Sequence, residues 1–168
     1  MKKVIAIILL CFTFPLMLTG CGSSEAKPEE TEQTAQIANP WSDWSSIEEA
    51  EEEVGFSFEL PDVIADKFTA DKIRTMNKEM LEVVYCNEDL EICVRKKKGE
   101  EQDISGDYNQ YETCEEKDYN GITVTSYYNS DNDASKQTFS YDGYSWSLAA
   151  LNGYGGDYSE EFLNKIVE

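Results

Sequence analysis

The sequence predicts an α+β domain, an antiparallel β-sheet meander with an N-terminal and a C-terminal helix packed on one face. Three observations carry that prediction. Two stretches alternate apolar and polar residues on either side of turn signals, as half-buried hairpins do. A capped amphipathic segment stands at the start of the domain, and a second amphipathic segment closes the chain.

The elements follow in order from Pro40-Trp41, where large apolar residues first appear after a polar stretch. Ser46-Ile47-Glu48-Glu49 has capping-box spacing and opens a helix with Ile47, Ala50 and Val54 on one side, which Gly55 stops. Its glutamates read as a solvated face favoured by the helix dipole; a metal site there would need partner ligands that the sequence does not identify. Lys67 to Met76 is ambiguous between periods and is read as extended. The next hairpin is clearer. Centring its turn on Glu88-Asp89 pairs Tyr85 with Ile92 and Val83 with Val94, and the same register sets Glu82 opposite Arg95. Ile122 to Tyr128 is a strand entered through Asn120-Gly121, and Asn129 to Asp133 turn the chain. Asp142-Gly143 is a strong two-residue turn that sets Tyr141 against Tyr144, Phe139 against Trp146 and Gln137 against Leu148. That leaves one aromatic face and one face of small hydroxyl residues. Phe162, Leu163, Ile166 and Val167 form the closing helix, with Asp157 or Ser159 as its cap.

Ahead of the domain, Lys2 and Lys3 precede an apolar run from Val4 to Leu18 that ends in Leu18-Thr19-Gly20-Cys21. A charged start, a short apolar stretch and a small residue before the cut describe a secretory signal. The last four residues resemble a bacterial lipobox, which implies diacylglyceryl attachment to Cys21 and cleavage before it. Residues 22–39 hold one large apolar residue, Ile37, among Glu, Ser, Thr and Gln, and cannot bury enough surface to order. The expected organisation is a lipoprotein signal peptide over 1–20, lipidated Cys21 and an acidic tether over 21–39, and one extracytoplasmic domain over 40–168.

Charge narrows the function classes. Losing residues 1–20 removes Lys2 and Lys3 and no acid, so 12 cations face 34 anions and the formal charge moves from −20 to −22. Such a surface repels nucleic acid and anionic headgroups. Membrane attachment therefore falls to the lipid on Cys21, whose two acyl chains hold stably where one would not.

The sequence contains no histidine. Cysteine and serine nucleophiles thus lack their usual base, and a zinc site of the cysteine and histidine kind lacks ligands. Asp131-Asn132-Asp133 lacks the glycine and distal glutamate of a calcium loop and reads as a turn. No catalytic residue, metal site or cofactor is expected. Cys86, Cys93 and Cys114 remain after Cys11 and Cys21. The hairpin register places Cys86 and Cys93 diagonally on one face, about 7–8 Å apart, which is long for a bridge. Three free thiols are the expectation, although Cys114 leaves other pairings open.

Candidate contact residues come from the aromatics. All ten tyrosines lie at or after Tyr85, and Tyr108, Tyr111 and Tyr119 surround Cys114. Tyrosine and tryptophan combine large area with a polar tip and anchor ligands well, but they are equally ordinary strand residues. The ligand-binding candidates are Asp107, Tyr108, Tyr111 and Trp146. Arg95-Lys96-Lys97-Lys98, the one basic run, either relieves repulsion in an acidic molecule or presents an anion patch.

Asn39-Pro40-Trp41 with Ser45-Ser46-Ile47-Glu48-Glu49-Ala50, Arg95-Lys96-Lys97, Asp103-Ile104-Ser105-Gly106-Asp107-Tyr108 with Tyr111, and Tyr144-Ser145-Trp146-Ser147-Leu148 together carry a resemblance. They resemble a bacterial domain of unknown function found in short lipoproteins and on the outer side of anti-sigma-like membrane proteins of Gram-positive bacteria. The chain departs from the anti-sigma-like members in showing no sigma-binding segment ahead of the domain. The resemblance implies no catalytic residues. From the lipobox, the tether and the lack of a catalytic constellation two functions are expected: a non-enzymatic, membrane-anchored extracytoplasmic domain that binds a ligand or protein, or a carrier for an apolar ligand between sheet and helices. In the second, Trp41, Trp44, Phe139 and Trp146 would line a cavity.

Overall fold

The computed structural model describes residues 39–88, 90–100, 103–129, 134–152 and 159–167. The lipobox, Cys21, the tether, Asp157 and most of the turn before Ala134 lie outside these residues. Eleven elements follow in chain order: β1 (Trp41–Trp44), α1 (Ile47–Val54), β2 (Val63–Ile64), β3 (Phe68–Met76), β4 (Met80–Cys86), β5 (Glu91–Lys98), β6 (Thr113–Tyr119), β7 (Ile122–Tyr128), β8 (Ala134–Tyr141), β9 (Tyr144–Asn152) and α2 (Ser159–Val167).

Local chemistry accounts for the elements that alternation and caps predicted. The Ser46 Oγ accepts from the Glu49 backbone N–H at 3.3 Å, and the Glu49 carboxylate accepts from the Ser45 N–H at 3.2 Å. Gly55 ends α1 at φ 74°, and its N–H donates to the Glu51 carbonyl at 2.8 Å. In the β4–β5 hairpin Val83 faces Val94, Tyr85 faces Ile92 and Glu82 faces Arg95, as the alternation requires. The β8–β9 hairpin pairs Phe139 with Trp146 and Tyr141 with Tyr144, and Asp142 and Gly143 take positive φ in the turn.

The α+β class is corrected. Among the described residues the protein is largely β, one antiparallel sheet of nine strands with helices of only eight and nine residues. The first element among them is strand β1, not a helix, and α1 follows. Three strands escaped the sequence reading for physical reasons, the two-residue β2 among them because it shows no period at all. Thr113–Tyr119 reads TCEEKDY and has no apolar alternation, because β6 is an edge strand exposed along nearly its whole length. Charges on such an edge keep it from pairing with another chain. β1 is only four residues long, too short to show a period.

The strand order β1-β3-β4-β5-β9-β8-β7-β6 also corrects the meander. β5 pairs with β9, not with its successor β6. The chain leaving β5 therefore crosses one face of the sheet to its far edge, then returns strand by strand through β6, β7 and β8 to β9. That crossing segment is the strap on which the candidate site is built.

The two faces of the sheet differ in kind. On one, Leu81, Val83, Tyr85, Ile92, Val94, Phe139, Trp146 and Leu148 form a core with Ile47 and Ala50 of α1 and Phe162, Leu163 and Ile166 of α2. Phe162 packs edge-on against both Phe68 and Tyr85, and burial pushes the Tyr85 hydroxyl well above its ordinary pKa. The opposite face carries the polar halves of the same strands, and the strap runs over it.

Candidate functional site

A backbone segment laid across a sheet must find partners for its own N–H and C=O groups. In the strap, from Asp103 to Tyr111, short side chains supply several of them. The Asp103 carboxylate accepts from the Ser105 N–H at 2.9 Å, the Ser105 hydroxyl from the Asp107 N–H at 3.1 Å, and the Asp107 carboxylate from the Asn109 N–H at 2.9 Å. Three consecutive turns of this kind stiffen the segment locally.

Two cations, Lys136 buried and Arg95 largely covered, then fasten it to the sheet. Arg95 on β5 donates through Nη1 to the carbonyls of Ile104, at 3.1 Å, and of Ser105. Lys136 on β8 donates to the Asp103 carboxylate at 2.8 Å and to the Asp107 carbonyl at 3.4 Å. The Lys136 ammonium also sits over the rings of Tyr127, at 4.4 Å, and Tyr111, at 5.2 Å. Burial alone would raise the Asp103 carboxyl, but the hydrogen bonds from Lys136 and Ser105 outweigh it and hold the group below its ordinary value. Burial, reinforced by its hydrogen bond to the Asp107 carboxylate, pushes the Tyr111 hydroxyl up to about 12.

Arg95 is held in turn. Its Nε donates to Glu82 at 2.7 Å, and Arg74 grips the other oxygen of the same carboxylate through Nε and Nη2. Glu82 is fully buried, and two guanidiniums on one carboxylate satisfy a charge that could not otherwise leave water. Trp41 covers both arginines, at 4.5 Å from Arg74 and 5.4 Å from Arg95. Gly106, at φ 65°, lies so close to the Arg95 guanidinium that any Cβ there would overlap Nη1.

Between the strap and the β3–β4 hairpin lies a groove of about 510 Å³. Trp41 and Tyr108 form aromatic walls; Met76, Met80 and Ile104 supply apolar floor; Arg95, Lys97, Asp103 and Asp107 are the charged groups. Tyr108 is 95% exposed, on a backbone tied down at Ile104, Ser105 and Asp107.

The sequence candidates thus divide. Asp107, Tyr108 and Tyr111 come together on the strap, with Tyr108 outward, Tyr111 against Tyr127 and Asp107 accepting from Tyr111. Trp146 does not join them. It lies in the core on the other face, 1% exposed, stacked on Phe139 and tilted against Phe58. Trp41 and Trp44 alternate on β1 and face opposite sides of the sheet, so the four aromatics proposed to line one cavity are not on one wall.

The run Arg95 to Lys98 is likewise split by strand alternation. Arg95 and Lys97 face the strap, whereas Lys96 is buried on the core side with Glu59 at 2.6 Å and the Tyr144 ring at 4.0 Å. It is no anion patch. The sequence names Trp41 only as a cavity-lining aromatic and does not single out Arg74, Glu82 or Lys136 as site residues; the one visible signal is Glu82 opposite Arg95.

Cys86, Cys93 and Cys114 are free. Cys114 sits on β6, four strands from Cys93 on β5, roughly 19 Å across a sheet at ordinary strand spacing. Burial first, then the Glu82 carboxylate, pushes the Cys93 thiol up to about 12. Among the described residues, no group of three or more His, Cys, Asp or Glu is placed to hold a metal ion, and no helix is long and apolar enough to cross a membrane. Comparison with family models, curated proteins and solved structures finds no match to this chain.

Proposed function

We propose that the chain is a lipid-anchored extracytoplasmic binding protein that meets a ligand or partner protein through its strap and carries out no reaction. The observation that carries the binding part is Tyr108, a large aromatic in water on a backbone already immobilised. An exposed tyrosine on a rigid loop loses little entropy when covered, which is what an interface anchor requires. The methionines beside it adapt to the shape of whatever enters the groove. The lipobox and the acidic tether support the anchor, and the resemblance to the domain of Gram-positive lipoproteins agrees with both.

Three measurements on the full chain in its host's membranes test this reading. Labelled palmitate should enter the protein and be lost in Cys21→Ser. Photo-crosslinking from position 109 should trap a partner that Tyr108→Ala abolishes. Turnover of glycan, peptide or ester substrates by the purified chain would overturn the non-catalytic part, and membrane retention of Cys21→Ser would overturn the anchor.

A further inference from the structure

The far half of the strap-side face holds a second concavity, away from Tyr108, of about 770 Å³ over β6, β7 and β8. That volume lies within the usual range of small-ligand sites. Strand register builds its floor. Glu116 faces Thr125, Thr125 faces Thr138 and Thr138 faces Ser147, so one polar row runs perpendicular to the strands. The same row continues as Arg95, Glu82, Arg74 and Asp43.

The two halves of that row are used differently. From Arg95 onward its charges neutralise one another beneath Trp41 and the strap. In the other half, the side chains of Glu116, Thr125 and Thr138 form no hydrogen bond or ion pair among the described residues, nor do those of Thr123 and Ser140 beside them. Each can accept, and each hydroxyl can also donate. Thr125 and Glu116, on adjacent strands, stand about 4.8 Å apart, whereas Thr138 is only 3% exposed. Tyr127, whose ring already packs on Tyr111 and carries the Lys136 ammonium, borders the groove, and Glu116 and Asp142 are the charged groups of the lining, which holds no Lys or Arg.

We propose that this groove is a binding subsite for a glycan chain free of negative charge. A ligand rich in hydroxyls matches a lining of hydroxyls and carboxylates. A ligand lying across the strands meets the Thr125 hydroxyl and the Glu116 carboxylate in turn, with the exposed Thr123 and Ser140 beside them and the buried Thr138 at the inner end. Anionic chains are refused by Glu116 and Asp142 within a molecule of charge −20. The site is independent of the strap groove and requires no chemistry.

The test is calorimetric titration of the full chain, held in a detergent without a sugar headgroup, with three hexasaccharides: a neutral glucan, a glucosamine oligomer and a galacturonic acid oligomer. The neutral and amino oligomers should bind, the amino one more tightly, and the acidic one should not. Thr125→Val, which keeps shape and removes the hydroxyl, should weaken both at least fivefold with the urea midpoint unchanged. Glu116→Gln should erase only the preference for the amino oligomer. The proposal is overturned if no oligomer binds at millimolar concentration, which leaves a plain solvated sheet face. It is equally overturned if the acidic oligomer binds as well as the others or if Thr125→Val has no effect. Binding abolished by Tyr108→Ala would move the glycan to the strap groove and also refute this site, whereas failure here leaves the strap reading standing.

Discussion

Replacing Gly106 with alanine tests the attachment of the strap most directly. Two penalties add. At φ 65° an L side chain costs about 1–2 kcal/mol relative to glycine. The new Cβ would also overlap the Arg95 guanidinium, which cannot simply swing aside because Glu82, the carbonyls of Ile104 and Ser105, and the Trp41 ring all hold it. Displacing it weakens hydrogen bonds to a charged donor, each worth about 1.5–3 kcal/mol and partly recovered by water here. The expected total is about 2–4 kcal/mol in urea unfolding of the full chain. Because the strap can detach before the sheet unfolds, amide exchange at Ser105 and Asp107 should accelerate even where the midpoint moves little. In an Arg95→Lys background the overlap disappears and only the backbone penalty remains, so the two substitutions should couple by at least about 1 kcal/mol. A loss under about 1 kcal/mol with strap amides still protected would refute the reasoning. Equal losses in both backgrounds would show that Arg95 is not the obstruction.

Removing the Glu82 carboxylate leaves Arg74 and Arg95 facing each other, and Glu82→Ala should destabilise by about 3 kcal/mol, the low end for a broken buried pair because both arginines keep some water. Denaturant titration reads this, and a loss below about 1 kcal/mol would mean the guanidiniums rehydrate freely. Thiol reagents at pH 8 should label Cys114 at once and Cys93 only on unfolding, since a thiol at about 12 is almost wholly protonated there; equal rates would contradict the buried placement of Cys93. The Asp103 carboxyl titrates below its ordinary 3.8, so its contribution is fully present above that pH and is lost as pH falls through the lower folded value. Stability of the native chain minus that of Asp103→Asn, followed from pH 6 to pH 2, should shrink to nothing at the acid end, and a constant difference would argue against the Lys136 contact. Tyr111, raised to about 12, acts in the opposite sense: its contribution is intact below the ordinary 10.0 and disappears as pH climbs through the folded value. Ultraviolet titration of Tyr111→Phe against the native chain should lack one phenol ionising near 12.

Much of the local structure was legible because it depends on near neighbours. Alternation and the Asp142-Gly143 turn specify the β8–β9 register, and the Glu82–Arg95 pair specifies that of β4–β5. Ser46, Glu49 and Gly55 delimit α1 through bonds that span a few residues. The Ser105-to-Tyr111 segment also stood out, by its composition of turn residues and tyrosines, and it is the strap.

By itself, the sequence determined the hairpins, both helices, the acidic net charge and the lack of histidine. Tertiary structure alone decided how the hairpins meet one another. That β5 takes β9 as its neighbour follows from burying the aromatic halves of both hairpins in one core, a summed effect of residues far apart in the chain. The crossing strap, the Arg74–Glu82–Arg95 clamp beneath Trp41 and the removal of Trp146 to the opposite face all descend from that one pairing. Period-2 alternation shows that a strand has two faces. Which face is covered, and by what, is settled only when the long-range pairing closes.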